Sequence, residues 1–313
     1  MESQWALVFP GQGSQSVGML SELGANHPIV RATFDEASEV LGMDLWALSQ
    51  NGPVETLNRT EHTQPAMLAA GVAAWRTLMS VTDARPSMLA GHSLGEYSAL
   101  VAADALDFPA AVELVRARAE AMQGAVPEGQ GAMAAILGMD DESVQALCAA
   151  QAGTDVLEAV NFNSPGQVVI AGSAAAVARA VAAAPGAGAK RALPLPVSVP
   201  SHCALMRPAA ERLKERLDAT ELRLPSIPVL HNASAAPVDS VAALRGILAE
   251  QLFHPVRWVE TIQRMRAEGM RVVVEAGPGR VLTGLAKRID RDLQLLEVSD
   301  EMSLEKTRGA LDG

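Results

Sequence analysis

The chain has 313 residues, 49% of them apolar and only 19% charged, which suits one large or two smaller packed domains and excludes disorder. Its 25 Lys and Arg against 36 Asp and Glu leave a formal charge of −11, the wrong sign for tracking nucleic-acid phosphates. Four lysines make no polybasic membrane tail, no apolar run reaches the ~18 residues of a membrane span, and Met1-Glu2-Ser3-Gln4 is no signal-peptide start. Cys148 and Cys203 show no metal-ligand spacing and fit a reducing compartment, so a cytoplasmic globular protein is expected.

Strand-like apolar runs are expected at Trp5–Phe9, Pro86–Ala90, Ile227–His231, Arg271–Glu275 and Leu293–Val298. Helical periodicity fills Thr63–Met79, Phe108–Met122 and Val238–Leu252 between them. Strands alternating with helices predict an α/β fold with a mostly parallel sheet covered on both faces. The middle of the chain breaks this rhythm. A strand at Ala132–Met139 leads into a helix opened by Asp140-Asp141-Glu142. Strands Val156–Phe162 and Gln167–Ala171 flank the turn Asn163–Gly166, Ser173 caps a helix to Ala184, and Lys190–Val197 closes the set. That β-α-β-β-α-β order is ferredoxin-like. Residues 127–198 are therefore expected to form a small inserted domain, bracketed by Val126-Pro127-Glu128-Gly129 and the proline-spaced Leu193–Pro200. Residues 1–126 and 199–313 would make the large domain.

The sharpest local signal is Gly91-His92-Ser93-Leu94-Gly95 directly after the strand at Pro86–Ala90. A G-x-S-x-G between a strand and a helix is a nucleophile elbow, in which the glycines avoid clashes and the serine is pushed outward. The bland alternative is a tight packing turn. An oxyanion could be held by the Leu94 N–H, and a second amide could come from Gln12 in Phe9-Pro10-Gly11-Gln12-Gly13-Ser14-Gln15. That turn is no nucleotide loop, because Ser16 stands where G-x-G-x-x-G needs its third glycine.

Serine needs a base. Of His27, His62, His92, His202, His231 and His254, the spacing favours His202, after the strand Leu193–Val197 with Ser201 as its helix N-cap. His231 at the end of another strand stays open, His92 is expected to diverge from Ser93, and Cys203 is a rival nucleophile whose commoner role is filler. Arg118 lies on the apolar stripe Ala111, Leu114, Val115 and Met122 of its helix, so it must be buried. Its partner is either a structural acid, Glu96 or Glu275, or the carboxylate of a substrate. Spacing does not choose between them.

Several segments, taken together, resemble the malonyl-CoA:acyl carrier protein transacylase family of bacterial fatty-acid synthesis. They are Phe9–Gln15, Thr63-Gln64-Pro65-Ala66, Gly91–Glu96, Asn161–Gln167, Val199-Pro200-Ser201-His202, Gln251-Leu252-Phe253-His254-Pro255-Val256-Arg257-Trp258 and Glu275-Ala276-Gly277-Pro278-Gly279. The likeness spans the whole chain in order. It implies a hydrolase-like α/β domain with a ferredoxin-like insertion, and transfer of malonyl from malonyl-CoA to the phosphopantetheine thiol of acyl carrier protein through a malonyl-serine. It implies Ser93 as nucleophile, His202 as base oriented by the Gln251 backbone carbonyl, and Leu94 and Gln12 as oxyanion amides. Arg118 would bind the malonyl carboxylate, with Gln64 and Asn163 near the acyl group. No metal or cofactor is implied, coenzyme A being part of a substrate. Acyl carrier protein is acidic, so a −11 chain would need a local basic patch, for which Lys190, Arg191, Arg280, Lys287 and Arg288 are candidates. Two departures stand out: His254 replaces a frequent asparagine, and Asn232-Ala233-Ser234 replaces the usual segment after His-Asn. The competing readings are a serine thioesterase or esterase, a non-catalytic carrier-binding subunit, and an acyltransferase loading a substituted malonyl unit for polyketide synthesis.

Overall fold

The computed structural model describes residues 4–197 and 199–313. The tripeptide Met1-Glu2-Ser3 and Ser198, the last residue of the expected insertion, lie outside that set. In chain order the first elements are β1 (Trp5–Phe9), α1 (Ser21–Asn26), α2 (Pro28–Leu41), α3 (Leu45–Asn51), α4 (Val54–Leu57), α5 (Thr60–Val81), β2 (Met88–Gly91), α6 (Gly95–Ala102) and α7 (Phe108–Gln123). There follow β3 (Gly131–Leu137), α8 (Asp141–Ala152), β4 (Leu157–Ser164), β5 (Gln167–Ser173), α9 (Ala174–Ala183), β6 (Arg191–Pro194), α10 (Arg207–Ala219) and β7 (Val229–Leu230). The chain ends with α11 (Val241–Glu250), α12 (Trp258–Ala267), β8 (Val272–Ala276), α13 (Val281–Ile289), β9 (Gln294–Val298) and α14 (Glu301–Asp312).

Five strands form a parallel sheet in the order β7-β2-β1-β8-β9. Every residue of β1, β2 and β8 is buried, as parallel strands covered on both faces require. The pleat of β1 divides its side chains between two cores. Trp5, Leu7 and Phe9 pack into one that includes α5 and α7, while Ala6 and Val8 pack into the other with Trp258, Ile262 and Leu285. The strand order reverses between β1 and β8, so the loops leaving β1, β2 and β8 open at one carboxyl edge, where such sheets place ligands.

The second sheet is antiparallel, in the order β4-β5-β3-β6, and α8 and α9 cover one face through Val144, Leu147, Val177 and Ala180. This is the ferredoxin-like arrangement. Its other face turns Met133, Val160 and Val169 toward Cys203, Leu195 and Val197. The Val256 N–H donates to Val160 O (2.8 Å) and the Phe162 N–H to Val256 O (3.0 Å), which ties β4 to the chain after α11.

Some boundaries differ from the sequence expectation for identifiable reasons. β2 starts at Met88 rather than Pro86, and β7 shrinks to two residues after Pro228, because proline brings no N–H to a ladder. The run expected as Lys190–Val197 forms a strand only over Arg191–Pro194; Pro194, its last residue, and Pro196 bring no N–H to carry the ladder further. Helix α11 begins at Val241 because the Ser240 side chain accepts the Ala243 N–H. Ser173 does stand before α9, but its side chain makes no capping bond. Ser201 caps no helix: α10 starts at Arg207, with Pro208 in its first turn.

Candidate active site

At the end of β2 the chain turns through Ser93 at φ 51° into α6. A Cβ on Gly91 would sit 1.9 Å from the Gly95 carbonyl carbon, and one on Gly95 would sit 2.1 Å from Phe9 O. Only glycine fits either position, so the strand can turn sharply against β1 and present the serine outward. The His92 N–H donates to Phe9 O (2.9 Å) and ties the turn to the loop leaving β1.

The Ser93 hydroxyl lies 2.8 Å from His202 Nε2. His202 Nδ1 is 2.8 Å from Gln251 O, and a carbonyl only accepts, so Nδ1 carries the proton and Nε2 offers its lone pair to the serine. Gln251 is the C-cap of α11, and its carbonyl is among those a helix leaves unpaired at its carboxyl end. The helix dipole is negative there and favours an imidazolium, the task an aspartate performs in other triads. His202 itself reaches the site at φ 66°, its N–H donating to Leu252 O (2.9 Å). The favoured residue is thus the one beside Ser93, but not for the reason of spacing. The strand before it pairs in the antiparallel sheet, as the last of the inserted set, and the bond to Leu252 is what fixes His202 beside the end of α11.

Four of the other five histidines have partners of their own. His27 meets Glu301, His231 is buried against Glu96, and His254 Nδ1 donates to Glu250 O (3.0 Å) with its ring against Phe253. His254 thus braces the end of α11 and leaves the Gln251 carbonyl aimed at His202. His92 Nε2 lies 2.8 Å from Asn163 Oδ1, and its ring borders the same cavity as Ser93. Cys203 is fully buried, its thiol donating to Pro200 O, and burial pushes that thiol up to about 12, which leaves it inert beside the serine.

Arg118 is 1% exposed, yet it meets neither Glu96 nor Glu275 within ion-pair distance. Its Nη1 donates to Gln64 Oε1 (2.7 Å), its Nη2 to Gln251 Oε1 (2.9 Å), and Nη2 is 3.4 Å from Ser93 Oγ. Its Nε has no partner among the described residues, and the Tyr97 ring lies 5.6 Å from its guanidinium carbon. Glu275 instead accepts the Leu282 and Thr283 N–H groups of α13. This buried cation is thus held by two amides, a hydroxyl and a ring, with no carboxylate within ion-pair distance among the described residues.

Ser93, His202, His92, Arg118 and Gln64 line a cavity of about 110 Å³ together with Gln12, Leu94, Thr60, Met122, Met133, Asn161, Leu195 and Val197. Among the described residues, neither the Leu94 nor the Gln12 N–H has a protein acceptor. Asn163 reaches the cavity only through His92, whereas Asn161 borders it. Both asparagines sit where β4 is bulged against β5, a device that re-aims side chains beside sites. The sequence reading missed Met133 and Asn161, because strand alternation does not say which loops a sheet face will meet. A larger concavity, about 330 Å³, lies over α13, β9 and α14 and contains no nucleophile with a base. Among the described residues no cluster of three His, Cys, Asp or Glu could hold a metal ion, and no helix is long and apolar enough to cross a membrane.

The acyl transferase domain model matches residues 6–305. The malonyl CoA-acyl carrier protein transacylase of Salmonella typhimurium is 55% identical over 287 residues, 92% of this chain and 93% of that one. The chain belongs to the malonyl-CoA:acyl carrier protein transacylase family. Among solved structures, an acyl carrier protein S-malonyltransferase from Vibrio cholerae superposes with a TM-score of 0.95 at 54% identity, covering 97% of this chain and all of that one. A malonyl-transacylase solved in complex with a type II polyketide acyl-carrier protein gives a TM-score of 0.97 at 53% identity, over 98% of this chain and all of its own. The fold of this transacylase is that of its solved relatives.

Burial, and after it the charge of Arg118, drives the His202 pKa from 6.5 down to about 3, against the opposing pull of the Gln251 carbonyl. The basic form is the neutral one. A lowered pKa keeps it fully populated until the pH falls far below 6.5. The rate at which a fluorophosphonate probe labels Ser93 should therefore stay flat from pH 8 to 5.5, where a histidine of ordinary pKa would lose about tenfold. A half-maximal rate near pH 6.5 would contradict this environment for His202.

Proposed function

We propose that this chain transfers malonyl from malonyl-CoA to the phosphopantetheine thiol of acyl carrier protein by a two-step, ping-pong route. The observation that carries the reading is Arg118, a buried cation without a carboxylate of its own, 3.4 Å from the hydroxyl that pairs with His202. His202 Nε2 takes the Ser93 proton as Oγ attacks the thioester carbon, and the Leu94 and Gln12 amides receive the developing oxyanion. The tetrahedral intermediate collapses, and His202 returns the proton to the departing coenzyme A thiolate. In the second half the carrier thiol gives its proton to His202 and attacks the malonyl-serine, and Ser93 is regenerated with its proton. No metal or redox cofactor enters these steps. The malonyl carboxylate lies against the Arg118 fork, with Gln64 and Gln251 holding that fork in plane and Asn163 acting through His92. Acetyl leaves the arginine unpaired, which favours malonyl.

A thioesterase reading requires water to compete in the second half, and the family relationship weighs against it. Residues 127–198 are read as a unit inserted into the large domain (1–126 and 199–313), supported by a separate sheet and apolar core, and the working compartment as the cytoplasm.

The deciding experiment is intact-protein mass after brief exposure to malonyl-CoA, wild type beside Ser93→Ala. One malonyl on the wild type alone, discharged by holo acyl carrier protein, is the expected result. Coenzyme A accumulating without carrier and without an adduct would instead mean hydrolysis.

For the carrier, Arg280 is already paired with Glu297 (2.7 Å), so its charge is compensated. The remaining candidates are contiguous: Arg288 Nη1 donates to Gln167 Oε1 (2.6 Å), the Gly138 N–H donates to Gly166 O (2.8 Å), and the Lys190 stem packs on Gly138. Lys287, Arg288, Lys190 and Arg191 thus form an exposed basic strip across the two sheets. Lys287→Glu with Arg288→Glu should raise the KM for carrier roughly tenfold at low salt and much less at high salt, with the KM for malonyl-CoA unchanged. An unchanged carrier KM removes the strip from docking.

A further inference from the structure

Glu96, in the first turn of α6, is wholly buried, and no Lys or Arg lies within ion-pair distance of it among the described residues. Its Oε1 accepts from His231 Nδ1 (2.7 Å). Its Oε2 accepts from the Asn232 N–H (2.9 Å), from Asn232 Nδ2 and from Gln251 Nε2 (3.0 Å). Both amides pass the contact on to the nucleophile. Asn232 Oδ1 accepts the Ser93 N–H (2.7 Å), and Gln251 Nε2 donates to Ser93 O (3.1 Å).

A side-chain amide can be turned end for end within one shape, but an ionised carboxylate only accepts, so each amide must face Glu96 with its nitrogen. That constraint, shared at Asn232 by the Gly91 carbonyl, which accepts from Nδ2 (2.7 Å), leaves Asn232 Oδ1 for the Ser93 N–H and Gln251 Oε1 for Arg118 Nη2. With either amide reversed, an NH₂ would confront the Ser93 N–H or the guanidinium. Ser93 stands at φ 51°, a conformation that persists only where its surroundings over-determine it.

We propose that Glu96 is a positioning residue for acyl transfer: by setting the polarity of the Asn232 and Gln251 amides it holds the Ser93 peptide, and with it the hydroxyl and Arg118, in the reactive arrangement. The proposal rests on Ser93 being the nucleophile. It attributes the effect of Glu96 to reach and hydrogen bonding rather than to charge.

Two substitutions separate these. Glu96→Gln keeps the length: its carbonyl oxygen can occupy the site of three donors, and its NH₂ can face His231 Nδ1 once that ring changes tautomer. Glu96→Asp keeps the charge but is one methylene short of both amides. Fluorophosphonate labelling of Ser93 reads the outcome without relying on malonyl-CoA. Glu96→Gln should label within about fivefold of wild type. Glu96→Asp should label about a hundredfold more slowly, with the KM for malonyl-CoA changed far less than kcat. Glu96→Asp reacting faster than Glu96→Gln, both reacting at the wild-type rate, or both slowing only in proportion to lost near-ultraviolet dichroism would each overturn the proposal. Should Glu96→Asp not fold, Asn232→Ser removes the acceptor of the Ser93 N–H: labelling slowed about tenfold or more supports the proposal, and an unchanged rate refutes it. Wild type that labels normally but takes no malonyl would refute the transferase reading and leave the role of Glu96 standing.

Discussion

His202→Ala should slow malonylation of Ser93 on the order of 10⁴- to 10⁶-fold while leaving malonyl-CoA binding nearly intact. The hydroxyl 2.8 Å from Nε2 would lose the acceptor for its proton. Among the described residues no second base is placed to replace it. His92 is directed at Asn163, His231 at Glu96, and the Cys203 thiol is buried and protonated. The grip on the substrate carboxylate would survive, because Arg118 is held by Gln64 and by the Gln251 side chain rather than by the imidazole. Rapid-mix intact-mass kinetics give the acylation rate, and equilibrium titration gives Kd. A rate within tenfold of wild type would show that His202 is not the base.

Arg118→Ala should lower kcat/KM for malonyl-CoA by about 2–5 kcal/mol, roughly 30- to 4,000-fold, the cost of truncating one partner of a buried charge pair. Acetyl-CoA makes no use of that charge, so its kcat/KM should change far less and the malonyl preference should narrow by nearly the same factor. The substitution also leaves Gln64 Oε1 and Gln251 Oε1 without their donor, so part of the loss is reorganisation of the cavity rather than the ion pair alone. Arg118→Lys separates these contributions. A single ammonium restores the charge but cannot span both amides, so it should recover only part of the malonyl rate. Parallel kcat/KM values for malonyl-CoA and acetyl-CoA check this, and an unchanged ratio in Arg118→Ala would take Arg118 out of the acyl site.

Both results turn on the fact that the site is assembled from distant parts of one chain. Ser93 and His202 are 109 residues apart, and Arg118 and Gln251 are 133 apart. Local spacing ranks His202 first because it follows the carboxyl end of a strand, Leu193–Val197, where α/β sheets place their sites. That strand pairs in the antiparallel sheet, as expected for the last of the inserted set, and it is the bond from the His202 N–H to Leu252 O that holds the ring beside Ser93. The family resemblance, rather than spacing, pointed to the Gln251 carbonyl as orienting group. Nothing in a residue's identity marks its backbone oxygen, so only the position of the α11 carboxyl end supplies that role. Glu96 is one of two acids, with Glu275, that the sequence offers Arg118 as a structural partner, against the alternative of a substrate carboxylate. It meets the arginine only through the Gln251 amide.

Local periodicity and covalent geometry control the part of this protein that is legible in the chain itself. The G-x-S-x-G turn after a buried strand can only be built with glycines where Cβ atoms would strike backbone, so the elbow and Ser93 followed from the chain alone. The β-α-β-β-α-β order of the middle segment, and the burial of Arg118 on an apolar helical stripe, followed in the same way. Tertiary structure alone decided which histidine reaches the serine, which neutral amides hold the arginine, and which face of the second sheet closes the cavity. Those choices depend on where loops and helix ends meet in space, and contacts between groups a hundred residues apart leave no period in the sequence.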